Sequence, residues 1–295
     1  MNALNVGFIG LGNMGGPMAT HLTEASVKLL VHDAAGTQAR APRGAAIAAN
    51  NQAVARGAEV IILSLPDGAV VSAVVSELAN TEGRKVHTII DTSTIGTATA
   101  RELHAALAAA NIQYLDCPVS GGVSGARNAT VAVMFAGPVA DYERYQPLLR
   151  NVAAKVIHVG VTAGQGQAMK LLNNFLSATA MAATSEAIAF GVSQGLDMAT
   201  MLDALNASSG RNTATADKFP NRILTETYDA GFTSRLMEKD VRLYLEAVTA
   251  AGGERPISPA VHQVWRQLED AEPNTDICRV YPFVKDGRFS ADEGP

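Results

Sequence analysis

A glycine cluster set between two patterned segments limits what this chain can fold into more than any other feature. Asn5–Gly10 reads as a strand and runs directly into Gly10-Leu11-Gly12-Asn13-Met14-Gly15, while Met14–Ala25 reads as a helix. A strand that turns at once into a helix needs glycine in three ways: for the tight turn, for close approach of a ligand to the backbone, and for close helix–strand packing. The helix start also presents N–H groups and the positive end of a dipole, which favour an anion. Gly10, Leu11, Gly12, Asn13, Met14 and Gly15 are therefore candidate contacts for the pyrophosphate of a dinucleotide. A purely structural glycine turn is the competing reading. Asp33 ends the next strand, eighteen residues after Gly15. A carboxylate there can accept hydrogen bonds from the ribose hydroxyls of NAD and repels the extra phosphate of NADP. The expected cofactor is NAD rather than NADP; the alternative role for Asp33 is to cap the following turn.

The rest of the first half alternates short apolar runs with helical stretches. Strands are expected at Leu29–His32, Val60–Leu65, Thr88–Asp91, Gln113–Cys117, Val131–Ala136 and Lys155–Val159. Helices are expected at Ala69–Leu78, Thr97–Ala109 and Asp141–Leu149. That alternation argues for a mainly parallel, doubly wound α/β sheet covered on both faces. After Gly160 the rhythm changes, and Gln167–Val192 reads as one long helix, apolar almost all round and therefore expected to be buried. Further helices are expected around Met198–Ala207, Phe232–Thr249 and Ala260–Glu269, with no strand among them. Two domains follow, residues 1–163 and an all-helical 164–295, with the break in the glycine-punctuated Val161–Gly166. The last twenty or so residues, rich in Pro, Gly and Asp, read as a loose tail.

Composition removes several classes of function. With 28 acidic against 23 basic residues and no basic block, nucleic acid and acidic membrane surfaces are not expected partners. Cys117 and Cys278 are too few for a disulfide framework and wrongly spaced for a metal knuckle. The start carries no signal-peptide pattern, and the charge-free stretch Leu171–Ser185 is too short and too polar for a bilayer, which takes roughly 20 apolar residues. A cytoplasmic protein is expected. The His residues show no H-E-x-x-H spacing, and no G-x-S-x-G elbow occurs.

One charged residue stands alone. Between Lys155 and Glu186 the only Asp, Glu, Lys or Arg is Lys170, with Asn174 one turn later on the same helix face. Such a lysine can simply snorkel to solvent. It can also, when partly desolvated beside a cationic nicotinamide, hold a depressed pKa and exchange a proton with a substrate hydroxyl. Ser120-Gly121-Gly122 follows a strand end and could grip a substrate carboxylate through backbone N–H groups and a hydroxyl, or be an ordinary glycine turn. Leu65-Pro66-Asp67 and Thr92-Ser93-Thr94 close two further strands where such sheets bind ligands, or where turns simply form.

Taken together, these motifs resemble the β-hydroxyacid dehydrogenase family, which includes 3-hydroxyisobutyrate and tartronate semialdehyde enzymes. The resemblance runs from Val6 to about Val248 through four ordered motifs: GFIGLGNMG, DCPVSGG, GQGQAMKLLNN and FTSRLMEKD. It implies a Rossmann-type domain, a long interdomain helix and a helical domain, with the site in the cleft between them and a homodimer or homotetramer overall. It implies hydride transfer between a small β-hydroxy acid and NAD. By the same resemblance Lys170 is the acid/base with Asn174 as its partner, Ser120, Gly121 and Gly122 bind substrate, and Leu65, Pro66, Thr94 and Lys239 reach the cofactor. The chain departs from the family at Ala129-Thr130, where Gly-Thr is usual, and at Asn212, where Ser is frequent. Alternatives are an NADPH-dependent reductase of small aldehydes such as glyoxylate or succinic semialdehyde, and a non-catalytic dinucleotide sensor. Arg211 and Arg222 are possible contacts for a second anionic group, or solvated surface residues.

Overall fold

The computed structural model describes residues 5–252 and 255–289. Contacts divide the chain into two compact units, Met1–Lys170 and Leu171–Pro295.

The first unit holds β1 (Val6–Ile9), β2 (Leu29–His32), β3 (Ala46–Ile47), β4 (Val60–Leu63), β5 (Thr88–Asp91), β6 (Gln113–Asp116), β7 (Val119–Ser120), β8 (Val131–Ala136) and β9 (Ala153–Gly160). They form one sheet in the order β3-β2-β1-β4-β5-β6-β8-β7, with β9 pairing β8. The pairs from β3 through β6 are all parallel. β8 is antiparallel to β6 and β7, and β9 runs parallel to β8. The helices are α1 (Gly15–Glu24), α2 (Thr37–Arg40), α3 (Asn51–Gly57), α4 (Gly68–Ala79), α5 (Thr97–Ala109), α6 (Gly122–Arg127) and α7 (Val139–Leu149).

The apolar strands are explained by burial on both sides. Val6 and Phe8 of β1 and Val60 and Ile62 of β4 pack in one core with Met18 and Leu22 of α1 and Tyr145 of α7. Their neighbours Ile9, Ile61 and Leu63 pack in a second core with Val71 and Val75 of α4 and Leu103 and Leu107 of α5. Residues one apart on a strand point to opposite faces, so this is the expected doubly wound sheet. The short β3, β7, α2, α3 and α6 were not anticipated; each is too brief to carry a period.

The second unit is helical, and no named strand occurs in it among the described residues. α8 (Gln165–Ser193) starts in the first unit and runs on into the second, followed by α9 (Met198–Asn206) and a π-helical segment, Ala214–Ile223. Then come α10 (Ser234–Ala250), α11 (Ile257–Ala271), a 3₁₀ turn at Ile277–Arg279 and α12 (Val280–Lys285). Met181, Ile188, Phe219, Val241, Trp265 and Phe283 meet in its core, where the Trp265 indole donates to the Ala178 carbonyl at 3.3 Å.

Two expectations are corrected. The C-terminal stretch is not loose as far as Lys285: Cys278, Val280, Tyr281 and Phe283 are buried. Its Pro282 sits in the first turn of α12, where a missing N–H breaks no helical bond. Of the expected tail, residues 290–295 lie outside the described residues. Secondly, α8 is not buried all round, because Leu172, Leu176 and Phe190 are 38%, 62% and 67% exposed. By length and composition alone this 29-residue helix could cross a membrane, a property the shorter stretch Leu171–Ser185 had concealed.

Candidate active site

The glycine loop leaves the carboxyl end of β1 and opens α1. Gly10 has φ +96°, and a Cβ there would lie 2.2 Å from the Ser64 carbonyl oxygen. A Cβ on Gly15 would lie 1.9 Å from the Gly10 carbonyl oxygen, so only glycine lets α1 start this close to β1. A Cβ on Gly12, by contrast, would meet nothing within 4 Å. Here the backbone itself faces a depression of about 350 Å³ lined by Leu11, Gly12, Asn13, Gly16, Pro17, Arg40 and Arg127. Two glycines that close the turn and one that opens it, with two arginines alongside, fit the pyrophosphate of a dinucleotide.

Asp33 stands at the end of β2, 8% exposed. Its Oδ2 accepts the Leu11 N–H at 2.7 Å, its Oδ1 accepts the Ala35 N–H at 2.8 Å, and Arg40 Nη1 lies 3.2 Å from Oδ1. Burial pulls its carboxyl upward, but the two N–H donors and the Arg40 charge prevail and hold it below the ordinary value. Asp33 thus does cap the Ala35 turn; the same carboxylate stays ionised beside the glycine loop. The residues present fit NAD.

The ends of β4, β5 and β6 carry the remaining expected residues of the first unit. Leu65 is half-buried and gives its N–H to Ser93 Oγ at 2.9 Å, Pro66 is exposed and Thr94 is half-buried. Asp67, beside them, accepts the Val70 N–H at 2.9 Å and caps α4. Ser120 ends β7, and the turn after it requires glycine, with φ +138° at Gly121 and +64° at Gly122. A Cβ on Gly122 would enter open space. Ala129 holds φ 53°, a left-handed conformation that favours glycine, which accounts for the usual Gly at that position.

Lys170 lies on α8 and is only 8% exposed. The turn before it is anchored by residues that sequence reasoning did not single out. Asp116 Oδ2 accepts the N–H groups of Gly164 and Gln167 at 2.9 and 3.0 Å, and Gln167 Nε2 reaches Asp116 Oδ1 at 2.8 Å. Asp91 and Asp116 are register partners on β5 and β6, and both are fully buried. Burial, with the Asp91 charge adding to it, pushes the Asp116 carboxyl up to about 6 against the hydrogen bonds from Gln167 and Gly164. Burial likewise raises Asp91, opposed by Ser93 and Tyr114. The Cys117 thiol is raised well above its usual range by burial and the two carboxylates, so it is no nucleophile.

Within the second unit, Asn174 Nδ2 donates to Asp240 Oδ2 at 2.5 Å, and Lys239 Nζ lies 3.3 Å from Asp240 Oδ1. Asp240, 2% exposed, therefore joins two expected site residues. The one signal available was its position directly after Lys239 in an otherwise amphipathic helix. Asn212 caps the π-helical segment, its Oδ1 accepting from Ala214 N–H at 2.8 Å and its Nδ2 donating to Thr184 at 3.1 Å. Arg222 pairs with Asp229 at 3.1 Å, and Arg211 is exposed. Among the described residues no His, Cys, Asp and Glu group could hold a metal.

Comparison with known proteins agrees with this fold. A family model described as the NAD binding domain of 6-phosphogluconate dehydrogenase matches residues 5–160. A second, described as NAD-binding of NADP-dependent 3-hydroxyisobutyrate dehydrogenase, matches residues 164–283. The mitochondrial 3-hydroxyisobutyrate dehydrogenase of Drosophila melanogaster is 35% identical over 98% of this chain and 91% of its own length. The 3-hydroxyisobutyrate dehydrogenase of Pseudomonas aeruginosa is 37% identical over 86% of this chain and 88% of its own. A solved structure of Mycobacterium tuberculosis 3-hydroxyisobutyrate dehydrogenase with L-serine superposes with a TM-score of 0.86 at 31% identity, covering 95% of this chain and 99% of that one.

Doubly wound sheet, glycine loop and helical second unit define a nicotinamide-dependent dehydrogenase. The chain belongs to the β-hydroxyacid dehydrogenase family, and it is an NAD-dependent oxidoreductase acting on the CH–OH group of hydroxy acids.

Proposed function

We propose that this chain oxidises a small β-hydroxy acid of the 3-hydroxyisobutyrate type, with Lys170 as the general acid/base. The observation that carries the reading is a lone lysine, 8% exposed, on an otherwise charge-free stretch of α8 that starts against the carboxyl ends of β5 and β6. Ser120 and the N–H groups of the Gly121-Gly122 turn hold the substrate carboxylate, since two adjacent positive-φ residues expose backbone donors there. Lys170 takes the proton of the substrate hydroxyl, and Asn174, fixed by Asp240, orients it. Bound NAD supplies the hydride acceptor. The glycine loop holds its pyrophosphate, Asp33 its ribose, and Leu65, Pro66 and Thr94 its nicotinamide side; Lys239 is a further cofactor contact. The L-serine in the mycobacterial relative supports a compact β-hydroxy carboxylate as the substrate class. The protein works in the cytoplasm as a homo-oligomer.

The test follows nicotinamide absorbance with NAD and NADP across three- and four-carbon hydroxy acids, including 3-hydroxyisobutyrate, 3-hydroxypropionate, glycerate, serine and 4-hydroxybutyrate. Lys170→Ala should lower kcat by about 10²–10⁴-fold, the usual contribution of general acid/base catalysis, and leave the dissociation constant of NAD nearly unchanged. Wild-type turnover in that variant removes Lys170 from the mechanism.

A further inference from the structure

Three residues before Lys170, Gln167 is completely buried. Its Nε2 donates to Asp116 Oδ1 at 2.8 Å and to the Ser93 carbonyl at 3.0 Å, while its Oε1 accepts the N–H groups of Ile95 and Gly96 at 2.8 and 3.2 Å. A primary amide offers two donors and two acceptor lone pairs, so all of its capacity is used. Turning the amide over would set N–H against N–H on one side and oxygen against oxygen on the other.

Asp116 completes the anchor by accepting the backbone N–H groups of Gly164 and Gln167. A Cβ on Gly166 would lie 2.7 Å from the Asp116 carbonyl oxygen and 2.9 Å from Oδ2, so glycine is what lets α8 begin against this carboxylate. Ser93 extends the network: its N–H donates to Asp91 Oδ1 and its hydroxyl accepts the Leu65 N–H, both at 2.9 Å. One buried set of hydrogen bonds thus ties the ends of β4, β5 and β6 to the first turn of α8. Residues three apart on a helix share a face; the anchor at Gln167 therefore sets where the Lys170 side chain departs.

We infer that Asp116 and Gln167 are positioning residues that hold Lys170 in register with the strand ends, an inference resting on Lys170 being the acid/base. A misplacement of about 1 Å at a reacting group can cost 10²-fold in rate, and the network exists to prevent one. Asp116→Asn gives one acceptor oxygen where three donors converge and sets two NH₂ groups face to face. Gln167→Glu sets a carboxylate against Asp116 and the Ser93 carbonyl. The double exchange, Asp116→Asn with Gln167→Glu, restores one donor–acceptor pair.

Each single exchange should lower kcat by about 10²-fold, with KM and the calorimetric dissociation constant of NAD within about threefold of wild type, and the double variant should recover about tenfold. Circular dichroism gives the folded fraction of each. A single variant whose kcat per folded molecule stays within threefold of wild type overturns the inference, as does a double variant no better than the weaker single. If the single variants do not fold, Gly166→Ala pushes the first turn off Asp116 without removing any hydrogen-bonding group, and the same split between kcat and binding decides. Wild-type turnover in Lys170→Ala brings down the acid/base reading. An inactive Lys170→Ala beside fully active exchanges brings down the positioning role alone.

Discussion

Asp33 shows how one side chain can brace the glycine loop and still remain ionised. Its carboxylate takes the Leu11 N–H, inside the glycine loop, while remaining ionised next to Arg40. Replacing Asp33 by Ala removes the charge proposed to face the ribose and leaves the Leu11 donor without its acceptor. A lost hydrogen bond to a charged group is worth about 1.5–3 kcal/mol, so the dissociation constant for NAD should rise about ten- to a hundredfold. That for NADP should change less, because the repelling charge has gone as well. Fluorescence titration with both dinucleotides reads this directly; unaltered NAD affinity would sink the assignment. The place of Asp33 at the end of β2 was legible because spacing after the glycine loop carries it. The Leu11 bond was not, because it depends on β2 returning alongside β1.

At the scale of an element, α8 is the instructive one. Its apolar residues are so evenly spread that no face could be chosen from the sequence, and burial on all sides followed as the expectation. The fold resolves the degeneracy: Leu171, Ala178, Met181 and Ile188 recur at helical spacing on the buried side, leaving Leu172, Leu176 and Phe190 outward. Exposed apolar stripes of this kind mark contact surfaces, which supports the proposed homo-oligomer. Light scattering of the purified protein should give a multiple of 30.7 kDa, and Leu176→Asp should shift it toward the single-chain mass. A monomer in the wild type refutes this. The π-helical segment was equally unreadable, because its start depends on Asn212 reaching Thr184 on another helix.

For the whole molecule, the two buried carboxylates at the ends of β5 and β6 set a pH dependence. The Asp116 carboxyl stands at about 6 in the folded state, above its unfolded value of about 3.9. The folded state therefore binds its proton more tightly. Stability from this group is fully present below about pH 4 and is lost as pH rises through 6, by about 3 kcal/mol at most. Asp33 and Glu272, whose values are lowered, act oppositely and matter only as pH falls below their unfolded values near 4. Urea unfolding should thus show greater stability at pH 5 than at pH 7, and Asp116→Asn should flatten that difference. A wild type equally stable at both values would contradict the assignment. The alternating sheet and the helical half could be read from apolar patterning, and the glycine loop from its residues and spacing. The Asp91–Ser93–Gln167–Asp116 network could not, since its members lie on three separate segments with no shared pattern.

The saturated amide of Gln167 also governs how this enzyme can be altered. A side chain with a spare hydrogen-bonding site tolerates a new neighbour by adopting it; one with none can only lose. Exchanges at positions 93, 116, 164, 166 and 167 should therefore be coupled, since each of these residues contributes to the same set of contacts. Solvent-facing positions such as Arg211 lie outside that block, and exchange there leaves it intact.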